Sequence, residues 1–354
     1  MRLPKLKIGN LIADLPIIQG GMGIGVSLSK LASAVANEGG IGVISAAQIG
    51  FREKDFEENP KSANIRALKK EIREAKKLSP KGIIGVNIMA ASSEFEELVN
   101  ASEEENIDLI ICGAGLPTNL PSLVKNKNIK LIPIVSSGKA ANIISKLWIK
   151  KYNYTPDAII VEGPKAGGHL GFSREDLKDE TKKLEVLIPE VLEAIKPYKT
   201  DEKPIPVIAA GGIYSGSDIS KFIKLGASGV QMATRFVATN ECDAHIDFKK
   251  AYVNAKESDI NIVTSPVGMP GRAVINEFIK SLRENPPKVT KCYNCLKPCN
   301  PKTTPYCISK ALINSVNGEI SKGLVFCGSN AYKINKIVSV KELMKELIKE
   351  SSIE

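Results

Sequence analysis

Short, uninterrupted apolar runs alternate with amphipathic stretches along the chain between residues 16 and 234. Continuously apolar runs of this length are typical of strands that are buried on both faces. In the stretches between them, apolar residues repeat every three or four positions, as on the buried face of a helix. Ser27, at the start of the first such stretch, fits a helix N-cap. The predicted strands cover residues 16–19, 40–44, 82–89, 109–113, 130–136, 158–162, 206–210 and 229–234.

Eight strand–helix units in succession predict an α/β fold, a (β/α)8 TIM barrel. A doubly wound sheet has the same alternation, but the first glycine-rich loop does not match the dinucleotide fingerprint of that fold. A G-x-G-x-x-G pattern that begins at Gly21 requires glycine where Val26 stands. A pattern that begins at Gly23 meets Leu28 instead. The barrel is therefore the preferred fold.

The barrel is predicted to occupy residues 1–275, and a C-terminal extension is predicted over residues 276–354. The extension carries four closely spaced cysteines. Two of its segments, 309–319 and 339–349, have the periodicity of helices. The sequence thus indicates one large domain followed by a smaller, mainly helical appendage.

A glycine- and proline-rich segment, residues 265–272, precedes the boundary between the two parts. Its composition predicts an irregular loop. The loop is either a linker that leaves the barrel or a mobile lid that supplies Met269 or Arg272 to a pocket.

The composition is ordinary for a globular protein, with 43% hydrophobic and 25% charged residues and a net charge of +10. The lysines are spread over many helical faces and no aromatic residues interleave with a basic cluster, so a nucleic-acid partner is not expected. No apolar run is long enough to cross a bilayer, and the amino terminus lacks the apolar region of a signal peptide. We therefore expect no membrane association and a cytoplasmic location.

The segment whose residues most clearly indicate a catalytic or binding site is the glycine-rich loop 163–171, which follows a predicted strand and contains His169. Glycine lets the backbone approach a ligand closely, and histidine is the side chain most easily tuned near neutral pH. The alternative is an ordinary turn with a hydrogen-bonded histidine. Two further glycine-rich loops, 20–25 and 211–212, also follow predicted strands. Since barrel active sites lie at the carboxyl ends of the strands, this coincidence favours function.

The ends of the last two predicted strands suit a phosphate group. Gly211 and Gly212 follow the seventh strand, and Ala233 and Thr234 end the eighth. Backbone N–H groups that glycine leaves accessible, together with a threonine hydroxyl, are typical phosphate ligands. The alternative is two ordinary turns between strands and helices.

Five motifs, taken together, resemble the nitronate monooxygenase family, which also contains the flavin-dependent enoyl-acyl-carrier-protein reductase II. The resemblance extends over roughly residues 5–275 and implies a barrel that binds flavin mononucleotide (FMN). The set is specific for the family and much less so for a particular reaction. The motifs are residues 16–23, 85–87, 166–169, 209–213 and 231–234.

The resemblance also implies roles for individual residues. His169 would face the substrate beside the flavin as the catalytic residue. Glu162 stands where the monooxygenases often have glutamine, which favours the reductase branch, and Lys165 stands where glutamate is frequent. Ala233 stands where glycine is common. The residues implied in FMN binding are Gly21, Met22, Gly23, Asn87, Glu162, Gly167, Gly211, Gly212, Gln231, Met232, Ala233 and Thr234.

Two enzyme activities follow from the resemblance. The leading one is the FMN-dependent oxidation of alkyl nitronates by oxygen to a carbonyl compound and nitrite. The alternative is an NAD(P)H-dependent FMN enoyl-acyl-carrier-protein reductase. A third, non-enzymatic alternative is a flavin- or metal-binding redox sensor. The expected partner is a small-molecule substrate, and the oligomeric state stays open, with a homodimer as one alternative.

The cysteines of the extension form the second distinctive pattern. Cys292, Cys295, Cys299 and Cys307 follow one another as C-x2-C-x3-C-x7-C. Thiolates at such spacings suit an iron–sulfur cluster or a structural zinc ion. The alternative is a compact loop of free thiols.

Overall fold

The computed structural model describes residues 3–351 except 199–201, 203, 283, 285 and 286. Its centre is a closed barrel of eight parallel strands, so the predicted (β/α)8 barrel is confirmed. The eight predicted strands are all present within one or two residues of their predicted bounds. The strands are β1 Leu6–Ile8, β2 Leu11–Ala13, β3 Ile17–Gln19, β4 Ile41–Ser45, β5 Ile83–Met89, β6 Leu109–Gly113, β7 Lys130–Val135, β8 Ile159–Glu162, β9 Gly168–His169, β10 Val207–Ala210, β11 Gly229–Met232, β12 Ile260–Thr264 and β13 Pro270–Val274.

Helices surround the barrel and bury their apolar faces against the outward side chains of the strands. The sequence predicts Ser27 as the N-cap of the first helix, α1 (Ser29–Asn37), and this prediction is wrong. The carboxylate of Asp243 accepts hydrogen bonds from the N–H groups of Leu28 and Leu31, while the Ser27 hydroxyl accepts one from Met22 N. The helices are α1 Ser29–Asn37, α2 Pro60–Leu78, α3 Phe95–Glu104, α4 Leu120–Leu123, α5 Gly138–Tyr152, α6 Leu184–Ile195, α7 Gly216–Lys224, α8 Thr234–Val237, α9 Ile246–Val253, α10 Glu277–Ser281, α11 Ile308–Val316 and α12 Val340–Glu350.

A short amino-terminal hairpin, β1–β2, closes one end of the barrel. Its Leu6 and Ile8 are buried and join the apolar side chains that fill the barrel interior, such as Ile18 and Ile208. Leu6 packs beside Gly229, the first residue of β11, so the hairpin covers the amino ends of the strands. The open end is therefore the carboxyl end, where barrel active sites lie.

The last helix, α12, lies between α1 and α7 in the outer ring, where the eighth helix of a barrel belongs. The Glu350 carboxylate accepts a hydrogen bond from Gly216 N, and the Ser220 hydroxyl donates one to the carbonyl of Ser351. The chain therefore leaves the ring after α8 and returns with α12. The division into a barrel over 1–275 and an extension over 276–354 stays a prediction.

A second sheet, β12-β13-β9, covers part of the open end. Its strands β13 and β9 are antiparallel, with Gly271 opposite His169 and Arg272 opposite Gly168. The segment 265–272, predicted as an irregular loop, thus ends as a strand that fixes the glycine-rich loop. No helix in the described ranges is long and apolar enough to cross a membrane.

Candidate active site

A cavity of about 590 Å³ opens at the carboxyl ends of the barrel strands. This volume is ordinary for a site that binds a small molecule or cofactor. Every residue for which the sequence predicted a catalytic or FMN-binding role lines this cavity. These residues are Gly21, Met22, Gly23, Asn87, Glu162, Gly167, His169, Gly211, Gly212, Gln231, Met232, Ala233 and Thr234.

At several glycines in the cavity wall, a side chain would collide with neighbouring atoms. A Cβ atom at Gly21 would lie 2.4 Å from the Cβ of Asn87. At Gly211 and Gly212 the backbone has φ values of +93° and +87°, which favour glycine, and a Cβ at Gly211 would lie 2.9 Å from the Gly163 carbonyl. The resulting bare surfaces let a flat or phosphorylated ligand approach the backbone directly.

His169 is held by a residue that the sequence did not indicate. Its Nε2 lies 2.6 Å from the Oγ of Ser265, and its ring packs edge-on against Phe326 with 5.3 Å between ring centroids. Within the described part of the chain, Nδ1 has no hydrogen-bond partner. Burial lowers the pKa of His169 to about 4, so the imidazole is neutral at pH 7. It can donate or accept one proton at Nδ1, but it does not supply a positive charge.

Glu162, the last residue of β8, has its pKa shifted in the opposite direction from that of His169. Burial alone raises the pKa of its carboxyl group to about 7. The same cavity thus contains a histidine that is neutral and a glutamate that is protonated in part of the molecules near neutral pH. Two titratable groups whose environments move their pKa values in this way can divide the acid and base roles between them.

Arg272 lies on the outer side of the glycine-rich loop. Its Nη1 donates hydrogen bonds to the carbonyl oxygens of Pro164, at 2.8 Å, and Ala166. Of the two lid residues suggested by the sequence, Met269 lines the cavity, whereas Arg272 supports the loop that carries His169. A guanidinium group suits this role because its fixed donors can bind two carbonyls at once.

Two buried side-chain oxygens in the cavity wall have no hydrogen-bond partner. They are Oε1 of Gln231 and Oε1 of Gln48, and Gln48 also has a left-handed backbone with φ of +45°. Buried acceptors without a donor are uncommon in folded proteins, so these atoms point to N–H or O–H donors of a ligand. The residues present therefore fit a cofactor such as FMN, which brings a planar polar ring and a phosphate.

The cysteine segment contributes to the cavity through Cys295. Among the residues described, no group of three or more His, Cys, Asp or Glu side chains is arranged to hold a metal ion, so the predicted iron–sulfur or zinc site is not supported. Cys292 is exposed, whereas Cys295 is buried against the cavity, and Cys299 and Cys307 lie between these extremes. Burial raises the pKa of Cys295 to about 11, which keeps its thiol protonated.

These features define a class of protein. A closed (β/α)8 barrel with bare glycine walls, unpaired buried acceptors and a neutral imidazole at its strand ends is built to hold a cofactor beside a substrate. More particularly, the chain belongs to the nitronate monooxygenase family, whose model matches residues 5–350. The chain is thus an oxidoreductase of a flavin-dependent family that acts on small molecules, and the predicted family is confirmed.

Similar proteins carry several different names. A probable nitronate monooxygenase of Staphylococcus saprophyticus is 28% identical over 306 residues, or 80% of the chain and 82% of that protein. The (3aS,4S,5R,7aS)-5-hydroxy-7a-methyl-1-oxo-octahydro-1H-indene-4-carboxyl-CoA dehydrogenase of Rhodococcus jostii is 28% identical over 76% of the chain, which spans only 65% of that relative. The solved structure of FabK from Thermotoga maritima has a TM-score of 0.74 and 28% identity, and the match covers 96% of the chain and 93% of FabK.

Proposed function

We propose that this chain binds FMN in the 590 Å³ cavity and oxidises alkyl nitronates with oxygen to a carbonyl compound and nitrite. Gly21, Met22 and Gly23 would lie along the flavin ring, and Asn87 would hydrogen-bond to it. The loop 211–212 and the residues 231–234, where β11 passes into α8, would hold the phosphate. When bound, FMN supplies the redox chemistry by accepting electrons from the substrate and passing them to oxygen.

The observation that carries this proposal is the state of His169. Its imidazole is neutral, and Ser265 occupies Nε2 and leaves Nδ1 available. When the Ser265 hydroxyl donates to Nε2, Nδ1 carries the proton and can donate it to an oxygen of a nitronate. In the other tautomer, Nδ1 is a base that can remove the α-proton of a neutral nitroalkane. Either way, the histidine orients the substrate or moves its proton beside the flavin.

Enoyl-thioester reduction with NAD(P)H is the second candidate, because one wall of the cavity is apolar. Leu296, Ile308 and Leu312 of the extension contribute to this wall, together with Met89 and Leu116 of the barrel. An apolar wall favours an acyl chain and makes the burial of an anionic nitronate more costly. Glu162, with its pKa near 7, would then be a suitable proton donor.

An anaerobic absorbance titration of the purified protein tests both candidates. A flavin band that bleaches with an alkyl nitronate and is unaffected by NADPH supports nitronate oxidation. Rapid bleaching by NADPH, with reoxidation by an enoyl thioester, supports the reductase instead. A protein that has no flavin band and does not take up added FMN would contradict the cofactor assignment.

A further inference from the structure

A short segment of the extension, residues 327–330, crosses the outer edge of the predicted phosphate site, and we call it the strap. It makes one hydrogen bond to each of three segments that border the site, namely the start of α8 and the two glycine-rich loops 163–171 and 211–212. These bonds are Gly328 N to Thr234 Oγ1 at 3.0 Å, Ser329 N to the Lys165 carbonyl at 3.1 Å, and Asn330 Nδ2 to the Gly212 carbonyl at 2.7 Å.

The strap packs closely against the glycine-rich loop that precedes His169. A Cβ atom at Gly167 would lie 2.5 Å from the carbonyl carbon of Cys327 and 2.6 Å from the nitrogen of Gly328. Cys327 and Gly328 are buried and themselves line the cavity. The strap is therefore part of the cavity wall.

The bond from Gly328 determines what the Thr234 hydroxyl can do. Because the Gly328 N–H donates to Oγ1, the hydroxyl proton must point away from the strap. Thr234 also lines the cavity, and no other described residue accepts its proton. The hydroxyl is thus free to donate to an oxygen atom in the cavity, and a phosphate oxygen is the strongest acceptor that FMN offers there.

The Asn330 amide acts on the other side of the site. Its Nδ2 fixes the carbonyl of Gly212, a residue in the left-handed conformation that many residue types cannot adopt. Lys165 and Lys333 lie nearby around a small second cavity of about 170 Å³ that also borders Gly211 and Gly212. Lys183 and Lys221 line this second cavity too, together with the carboxylates of Glu185 and Asp218. Four lysines against two carboxylates leave the surroundings of the Gly212 loop net positive, which favours an anion.

We propose that the strap is a component of the cofactor site that positions the Thr234 hydroxyl and the Gly212 peptide for the phosphate monoester of the flavin. The proposal rests on FMN as the cofactor, and it does not depend on which substrate is oxidised or reduced. It assigns Gly328 and Asn330 as positioning residues. It also explains why a segment so far along the chain contacts three separate segments at the barrel mouth.

The test compares the affinities of FMN and riboflavin, which differ in the phosphate alone, for the flavin-free full-length chain. Asn330→Asp has nearly the same shape but places a carboxylate against the Gly212 carbonyl, at the edge of the predicted phosphate site, so we expect its Kd for FMN to rise about tenfold or more. The Kd for riboflavin should change less than about twofold. Quenching of flavin fluorescence on binding gives both constants.

Asn314→Asp is the matched control, because Asn314 Nδ2 donates to the Lys322 carbonyl at 3.0 Å in the same extension, away from the cavity. It should leave both affinities unchanged. A second variant, Asn330→Ala, removes the bond without adding charge and should weaken FMN more than riboflavin. Equal weakening of both flavins would mean a purely structural role and would overturn the proposal, as would unchanged FMN affinity. Failure of the wild-type chain to bind FMN would overturn the cofactor assignment, and the strap's role with it.

Discussion

The Nε2 atom of His169 lies 2.6 Å from the Oγ atom of Ser265, although 96 positions separate the two residues in the chain. The sheet β12-β13-β9 produces this pairing. His169 lies opposite Gly271 in β13, and Ser265 directly follows β12. The orientation of the candidate catalytic imidazole is therefore set by a sheet outside the barrel.

Removal of the Ser265 hydroxyl should impair catalysis without affecting the cofactor. We expect His169→Ala to keep its flavin and lose most turnover, by about 10²-fold or more, as for other positioned acid–base groups. Ser265→Ala should lose less, about tenfold, because the ring remains but its orientation and tautomer are no longer fixed. Steady-state kinetics with the flavin content measured in parallel checks this. Unchanged kcat in His169→Ala would contradict the catalytic role.

The pKa values of Glu162 and His169 give opposite contributions to the pH dependence of stability. Glu162 has its pKa raised from 4.5 to about 7, so its contribution is present below about pH 4.5 and is lost as the pH rises through 7. His169 has its pKa lowered from 6.5 to about 4, so its contribution is present above about pH 6.5 and is lost as the pH falls through 4. The two largely cancel in the wild type.

Replacement of Glu162 should leave the pH-dependent contribution of His169 to stability without the opposing contribution of the glutamate. At high pH the buried Glu162 carboxylate destabilises the folded state by at most about 3 kcal/mol, since one pKa unit corresponds to about 1.4 kcal/mol. Glu162→Gln cannot ionise and is not destabilised in this way. Relative to the wild type, the Tm of the flavin-free variant should therefore be higher by a few degrees at about pH 8 and nearly equal at about pH 4.5. Thermal unfolding followed by circular dichroism measures the difference. A Tm difference that does not change with pH would show that the carboxyl group is not perturbed.

The barrel could be predicted from the sequence, because its strands are encoded locally. The first three residues of β8, Ile159 to Val161, are all apolar and buried, and both neighbours of β8 in the barrel are buried strands as well. The glycine-rich loops could also be predicted from the sequence. Because the carboxyl ends of all barrel strands meet at the same edge, these loops were expected to lie together. The thirteen catalytic and FMN-binding residues implied by the family resemblance all line one cavity at this edge.

The remaining parts depend on contacts between distant residues. The strand β9 has two residues, and its partner β13 contains proline and glycine, so neither has a strand pattern of its own. Asp243 caps α1 across more than 200 positions, a contact that no local capping rule indicates. The cysteine spacing was informative but ambiguous, because the same pattern occurs in metal sites and in loops of free thiols.

Arg272 should be required for the shape of the glycine-rich loop. Its Nη1 donates to the carbonyls of both Pro164 and Ala166, and a lysine side chain is one atom shorter, so its ammonium would not reach the position of Nη1. We expect Arg272→Lys to lose about 1.5–3 kcal/mol of loop stabilisation, the value of a hydrogen bond to a charged group. Flavin affinity should fall by about tenfold, and limited proteolysis should cleave the loop faster. Retention of wild-type affinity would mean that the loop does not need this support.

Gly167 offers the most direct test of how closely the extension packs against the barrel loops. A methyl group at this position would lie 2.5 Å from the carbonyl carbon of Cys327, which is backbone and cannot turn aside. We expect Gly167→Ala to displace the segment 327–330, to lower the Tm by several degrees and to lose flavin on purification. Gly268→Ala is the matched control: it introduces the same methyl group at a glycine with no atom within 4 Å, although its φ of +83° adds some backbone strain. It should keep its flavin. If Gly167→Ala bound flavin as well as Gly268→Ala does, the close packing between the extension and the loop would not matter for the cofactor.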